Sequence, residues 1–395
     1  SPDQLLNKKI ERASVISARR MCIALLTAAS SAGAQGALST QGFGYPPGQF
    51  STRALGTGGG LAQFDPQSSV NPASVATSGD PLLFLQYEPE FRRLSSSGQT
   101  QKTTTSRFPL AVAALPIGSR GTLAVSVSTL LDRSWQTTAT RDETIAGEKA
   151  TVTETVKSLG AIDDVRLAGA WTANDFIQVG VAGHLFTGQN RLFFSQTFPD
   201  SLHFTPVNQV SNLDYTGFAV SAGVVIHPSS VIGLAVSGRK GGNLDARTGD
   251  TIVSSAKIPD RYAAAVSYAG ISGATVSAQV ARDLWSSLNG LGSEEARAFD
   301  AWDFGGGIEA TGPRVLERTI LIRLGARYRT LPFVAAGSEV RELSFAGGLG
   351  AQFSRNRAAF DVTLQHASRT PDGSGSPGDV RERAFILSFG LRVRP

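Results

Sequence analysis

Residues 320–329 read Ile-Leu-Ile-Arg-Leu-Gly-Ala-Arg-Tyr-Arg. In an extended strand successive side chains point to opposite faces, so Ile320, Ile322, Leu324, Ala326 and Tyr328 share one face and Leu321, Arg323, Gly325, Arg327 and Arg329 the other. Three arginines on one face cannot form a dry core. Burying them unpaired costs several kcal/mol each, so that face must meet water or acidic partners while the apolar face meets something else. The stretch from Ala384 to Val393 repeats the pattern, with Phe385, Leu387, Phe389, Leu391 and Val393 opposite Ser388, Gly390 and Arg392. A closed barrel with lipid outside and a wet lumen inside satisfies both faces at once.

Working outward, about fourteen segments of this kind follow Leu82, beginning near residues 82, 106, 120, 160, 175, 211, 229, 260, 272, 299, 316, 340, 356 and 382. Eleven residues at ~3.3 Å each, tilted by about 45°, cover roughly 25 Å, the height of a lipid-facing band. Outward sets include Leu123, Val125 and Val127, then Val165, Leu167 and Trp171, and Phe360, Val362 and Leu364, alternating with small or polar residues such as Ser126, Ser128 and Arg166. Connections alternate in length. Short turns at Pro116–Arg120, Ala173–Asn174, His227–Ser229, Gly270–Ser272, Gly312–Arg314 and Arg355–Asn356 suit the periplasmic end. The polar stretches Arg133–Leu159, Pro199–Val210, Gly241–Pro259 and Pro371–Arg381 read as extracellular loops, with a low-complexity tip at Gly373–Gly378. Trp135, Trp171, Trp285 and Trp302 fall near strand ends, where aromatic girdles belong. Trp285 alone lacks the outward parity, which a bulge near Arg282 or a place above the membrane explains.

Composition supports one large unit. No charged linker divides the latter four-fifths of the 395 residues, and a hydrophobic share of 41% is compatible with a barrel because only every second strand residue faces lipid. The formal net charge is +5, and Lys8, Lys9, Arg12, Arg19 and Arg20 against Asp3 and Glu11 supply most of it. The remainder gives no electrostatic footprint for nucleic acid. Arg19 and Arg20 precede an apolar stretch from Met21 to about Ala29 and the small residues Ser30 to Ala34, the order of a secretory signal peptide with cleavage near Gln35 or Gly36. The single cysteine, Cys22, lies within it, so the mature chain would hold no thiol or disulfide. The expected organisation is therefore a signal peptide and upstream segment over 1–35, a separate N-terminal segment over 36–81, and a transmembrane antiparallel β-barrel over 82–395, located in the bacterial outer membrane.

Residues 36–81 break the alternation. Arg53, Leu55, Gly56, Gly58 and Gly59 lead to Asp65, Ser68, Ser69, Asn71, Pro72 and Ala73. An Arg-x-Leu-Gly-x-Gly-Gly run followed by Asp, paired Ser and Asn-Pro-Ala resembles the start of the long-chain fatty acid transporter family of outer-membrane barrels. Ile258-Pro259-Asp260-Arg261-Tyr262 entering a strand and Asp283-Leu284-Trp285 closing the next hairpin resemble it too. Leu61, Gln63 and Phe64 depart from the pattern, as does Ser74, where relatives often have Gly. The resemblance implies fourteen strands and an N-terminal hatch folded into the lumen, with Gly58, Gly59, Asn71, Pro72 and Ala73 in it. It also implies apolar substrates such as fatty acids or hydrocarbons, released sideways to membrane lipid. Related branches serve as aromatic-hydrocarbon channels or as shuttle proteins of a secretion system.

Physics supplies a separate reason for a plug, because a lumen of about fourteen strands leaks unless loops or a terminal segment fill it. Pro72 disfavours helix at Asn71 and makes a corner, and the glycines permit close packing against a wall. A floppy periplasmic tail is the plainer alternative. No cofactor or metal is implied: Leu61 occupies the sixth position of the Gly56 stretch, where a phosphate-binding glycine pattern needs Gly, and His184, His203, His227 and His366 are isolated. A hydrolase would need a Ser-His-acid constellation, and neither a nucleophile-elbow sequence nor a suggestive spacing appears. Arg323, Arg327 and Arg329, with Asp361 and Gln365, line the expected lumen. They bind a substrate carboxylate or, the reading favoured here, pair with acids such as Asp303, Glu309 and Asp361. The expected partners are a hydrophobic small molecule, outer-membrane lipid and, during biogenesis, the barrel-assembly machinery. A general porin, a structural barrel, a secretion-linked barrel holding a protein, and a soluble β-sandwich are the competing readings.

Overall fold

A computed structural model describes residues 38–395 except 41–42, 97–98, 146–147, 200–204, 292–296, 316–317, 336–337, 354–356 and 373–379. The expected signal peptide, His203 and the loop tip at Gly373–Gly378 lie outside the described residues. Sixteen strands follow in chain order: β1 (Leu82–Ser96), β2 (Gln99–Ile117), β3 (Gly121–Asp132), β4 (Trp135–Ile145), β5 (Glu148–Asn174), β6 (Ile177–Thr197), β7 (Val207–Ile226), β8 (Ile232–Thr248), β9 (Thr251–Lys257), β10 (Arg261–Ile271), β11 (Ala274–Asp283), β12 (Ala301–Val315), β13 (Arg318–Ala335), β14 (Ser338–Phe353), β15 (Ala358–Pro371) and β16 (Arg381–Val393). Every pairing is antiparallel. Fourteen strands close into a cylinder, β16 returning to β1 and β8 pairing with β10.

The other two, β4 and β9, correct the sequence reading. Arg133–Leu159 and Gly241–Pro259 were expected as loops, yet β4 pairs with the first half of β5 and β9 with the end of β8. No described side chain of β4 or β9 is fully buried, the buried Val152, Val156, Leu244 and Ala246 lying on their partners β5 and β8, so neither strand carries an apolar alternation to betray it. For the same reason β2 begins at Gln99 rather than near 106.

Sidedness follows the alternation. On β13 Leu324 is 59% exposed and Arg323 2%, and on β3 Val125 and Val127 are exposed while Ser126 and Ser128 are buried. The exterior is a continuous belt of such residues, including Leu83, Leu85, Phe91, Leu167, Val181, Phe218, Val236, Phe345 and Phe385. Leu82 lies opposite Ala114 and Leu83 opposite Val393, which puts both ends of the barrel sequence beside the short turn at 118–120. That is the periplasmic end, and β4 and β9 mark the extracellular one. Trp171 and Trp302 are exposed at opposite ends of the wall. Trp285 sits past β11 in the 3-10 turn Trp285–Leu288 and is buried, which accounts for its broken parity.

Candidate functional site

The N-terminal segment is folded on itself by short polar contacts. Helix α1 (Thr52–Gly56) starts at Ser51, whose Oγ accepts from the Ala54 N–H at 3.0 Å and donates to the Asp65 carboxylate. Asn71 fixes the corner twice over. Its Oδ1 accepts from the Ala73 N–H at 3.0 Å and its Nδ2 donates to the Gln63 carbonyl at 2.9 Å, while Pro72 opens the 3-10 turn Pro72–Ser78 where its missing N–H costs nothing. Almost every described side chain from Leu38 to Val75 is buried. What buries them is the inward face of the strands: Ser69 meets Ser126, Gln63 accepts from Ser237 at 2.7 Å, and the Thr52 carbonyl accepts from Thr363 at 2.8 Å.

On the β12–β13 wall the approach is backbone to backbone. Gly58 has φ +61°, a conformation side chains disfavour, and a Cβ there would collide with Ala326. Gly305, Gly307 and Gly325 complete the fit, since a Cβ on any of them would strike Thr57 or Gly58. Glycine in a strand interior weakens the strand and marks a close approach, which is its role here. Gly59, with φ +90°, packs beside Phe50 and Gln279. Across the lumen, Pro72 and Ala73 rest on Gly180 and Asn71 on Gly223.

The inward arginines of β13 are paired. Arg323 donates from Nε to Glu309 at 2.7 Å and from Nη1 to Asp361 at 2.6 Å, while Arg53 of the segment reaches the same Glu309 at 2.5 Å. Arg327 forks onto Asp303 at 2.8 and 2.7 Å. Arg329 takes Glu342 at 2.6 Å, an acid the sequence reading did not name. Asp361 therefore joins Arg323, and Gln365 lies buried on the same face of β15.

Tyr45 is the centre of a larger cage. Its ring lies 4.6, 4.9, 5.2 and 5.3 Å from the guanidinium carbons of Arg369, Arg329, Arg107 and Arg92. Its hydroxyl donates to Glu342 at 3.2 Å and accepts from Arg329. Burial pushes that hydroxyl above the ordinary phenol range against the pull of Arg329 and Arg369, so it remains a donor. Glu88, Glu90, Asp132 and Glu382 balance the cage, Arg369 alone touching Glu90 at 2.9 Å, Glu342 at 2.6 Å and Glu382 at 2.5 Å.

Sequence reasoning missed a third constellation. His184 donates from Nδ1 to the Asp164 carboxylate at 2.8 Å and shares a hydrogen bond between Nε2 and the Ser221 hydroxyl at 2.8 Å, the three standing on adjacent strands β5, β6 and β7. Spacing along the chain hid it, because strand pairing rather than sequence proximity brings the three together. The arrangement matches a Ser-His-acid chain in connectivity. Its surroundings do not: Ser221 lies mid-strand, where the ladders to β6 and β8 occupy the backbone N–H groups an oxyanion would need. Gln49 of the segment donates to Asp164 at 2.9 Å and to Ser128 at 2.7 Å and accepts from Arg239 at 3.2 Å, so the chain anchors the segment to the wall. His227 is a turn residue, and His366 packs on Phe385 at 4.7 Å.

Above Arg239, Arg261 and Arg327, and beside the Tyr45 cage, the lumen changes character. Phe43, Leu131, Ile162, Phe186, Leu244, Ile258, Trp285, Leu288 and Phe333 form one buried apolar cluster, drawn from the N-terminal segment, the upper strands and the β9–β10 and β11–β12 connections. A cavity of about 40 Å³ lies at the boundary, with Leu130, Trp285 and Ala301 on one side and Arg239, Arg261 and Asp303 on the other.

Apolar exterior, short turns at one end and a charged lumen define a transmembrane β-barrel of the outer membrane. No family model matches the chain and no curated protein does. Solved structures do share the fold. A Pseudomonas aeruginosa FadL homologue superimposes with a TM-score of 0.60 at 12% identity, over 89% of this chain and 99% of that one. The CymD monoaromatic hydrocarbon channel gives 0.56 at 12% identity (88% and 97%), and the Pseudomonas putida toluene transporter TodX 0.53 at 10% (87% and 97%). The fold likeness agrees with the resemblance to the long-chain fatty acid transporter barrels.

Proposed function

We propose that this chain is an outer-membrane channel for passive uptake of hydrophobic small molecules, such as fatty acids or hydrocarbons, with residues 38–78 as its hatch. The observation that carries the reading is the change of lumen chemistry with depth. A solute from outside meets the apolar cluster around Phe186 and Trp285 first, and only beneath it the ionic waist with Arg239, Arg261 and Arg327. An apolar tail is held above and a carboxylate is matched below. The similar structures named for toluene, monoaromatic hydrocarbons and FadL support the same substrate class.

Lateral release has a candidate route. The β2–β3 ladder ends at the pair Leu110–Ser128, leaving residues 99–109 of β2 without a partner on that side. Just below, a largely apolar cleft of about 360 Å³ is lined by Phe84, Val112 and Ser126 from the inner face and Leu85, Ala111 and Val125 from the outer. Passage needs the hatch and the apolar cluster to rearrange, with the concentration gradient giving direction.

Planar-bilayer conductance of the full chain and of a chain lacking residues 38–75 tests the hatch: the deletion should conduct strongly, and an unchanged current rejects it. Substrate class is tested with Trp285 as sole tryptophan. Quenching or a blue shift on adding toluene or a long-chain fatty acid is expected, and no spectral response together with no uptake into proteoliposomes rejects the channel.

A further inference from the structure

One group of cations faces away from the lumen. Arg93 on β1 is the direct cross-strand partner of Arg383 on β16 and of Lys102 on β2. All three are exposed, and Arg381, one outward rung higher opposite Ser95, is a fourth. Like charges placed directly opposite destabilise a sheet. Several other exposed cations have an acid at hand: Lys240 meets Asp260 at 2.5 Å, Arg282 meets Asp300 at 3.4 Å, and Arg341 meets Asp372. None of the four has an acidic partner among the described residues. The row has the repulsion and no internal counter-charge.

Its height is informative. The outward column of this wall runs from Leu83 and Val393 through Tyr87 and Phe389 to Phe91 and Phe385, and the cationic row is the next outward rung. From Leu83 to Arg93 the strand climbs roughly 25 Å along the barrel axis, taking ~3.3 Å per residue and a tilt of about 40°. That equals the apolar band. Arg93, Lys102 and Arg383 therefore stand at its extracellular edge, level with lipid headgroups and directly above a lipid-facing aromatic pair.

We propose that Arg93, Lys102 and Arg383 bind the phosphate groups of the phosphorylated glycolipid in the outer leaflet, its acyl chains packing on Phe91 and Phe385. A lipid fits better than a free anion because cations and aromatic rings form one continuous column, so one ligand carrying a phosphate above hydrocarbon satisfies both. Arginine forks suit phosphate oxygens, and a bound phosphate removes the repulsion between the three strands.

The test uses the full chain in detergent micelles and diphosphorylated lipid A as probe, with binding read by native mass spectrometry or microscale thermophoresis. Each cation near an anionic lipid surface is worth about fivefold in affinity, so Arg93→Gln, Lys102→Gln and Arg383→Gln together should weaken binding on the order of 100-fold. Lipid A stripped of its phosphates should bind the native chain as weakly. In lipid-free detergent the triple variant should keep the heat-modifiable mobility of a folded barrel and melt at or above the native temperature, since repulsion has been removed. Equal affinity of variant and native chain overturns the proposal. So does equal binding of dephosphorylated lipid A, displacement of the lipid by inorganic phosphate at comparable concentration, or a lower melting temperature of the variant without lipid, which would mean the cations hold the fold itself together.

Discussion

Arginine plays opposite parts on the two faces of this wall at nearly one height, where Arg369 lies opposite Glu342 and Arg341 opposite Thr370 on the β14–β15 ladder. On the inner face Arg369 is fully buried and divides its nitrogens among Glu90, Glu342 and Glu382, acids that come from three different strands. On the outer face Arg341 meets Asp372 alone, with half of its side chain in solvent. Water stands in for a lost partner on the outer face and cannot on the inner. Identical chemistry thus fixes the interior of the barrel and only decorates its outside, and the contrast can be broken on either face.

The largest effect belongs to the inner face. Arg369→Ala leaves three carboxylates buried and undercompensated, and breaking such a pair costs about 3–5 kcal/mol. Urea unfolding in micelles, followed by tryptophan fluorescence, should show that loss. A change below about 1 kcal/mol would mean that water reaches the inner face freely and that the segment does not seal it.

Next comes the exchange of faces on β13. Arg323 is accommodated because Glu309 and Asp361 await it, whereas Leu324, one residue along, points into lipid. Leu324→Arg should cost about 2–4 kcal/mol if that position lies near the bilayer midplane, less toward the interface. Equilibrium folding into phospholipid vesicles measures it.

A finer cut is Tyr45→Phe, which keeps the ring among its four guanidinium groups and removes the hydroxyl that joins Arg329 to Glu342. Hydrogen bonds to charged groups contribute about 1.5–3 kcal/mol, so a loss near the lower figure is expected, with the barrel intact and the segment less firmly held. Protease sensitivity of residues 38–78 and single-channel noise should both rise. Tyr45→Ala, which empties the cage, should go further on both readouts.

How much of this was legible follows from what a sequence states directly. Alternation names a residue's face, so the fourteen barrel strands, the inward arginines and the outward Leu324, Val125 and Phe385 could be read from order alone. The necessity of counter-charge even pointed to Asp303, Glu309 and Asp361. Pairing register between strands is not in the sequence, which is why Glu342 went unnamed and why Asp164, His184 and Ser221, scattered along the chain, gave no sign of meeting. β4 and β9 escaped because strands with no fully buried face lose the pattern that reveals them. Gly305, Gly307 and Gly325 were visible as residues but not as a docking track, since only the path of Thr57 and Gly58 past them gives their lack of side chains a purpose.

The smallest expected effect is the most discriminating control. Arg341→Ala removes an ion pair of the same residue types as those on the inner face, on a rung where Glu342, its neighbour in sequence, faces inward to Arg329 and Arg369. An exposed pair contributes about 0.2–1 kcal/mol and is weakened by salt. Arg341→Ala should therefore shift the urea midpoint only slightly in low salt and not measurably in high salt, while the Arg369→Ala defect stays large in both. Salt insensitivity at Arg369 combined with salt sensitivity at Arg341 assigns the difference to burial rather than to the number of acids within reach. If both variants respond to salt alike, the inner face is as wet as the outer, and the segment would have to be regarded as a porous filling through which ions pass.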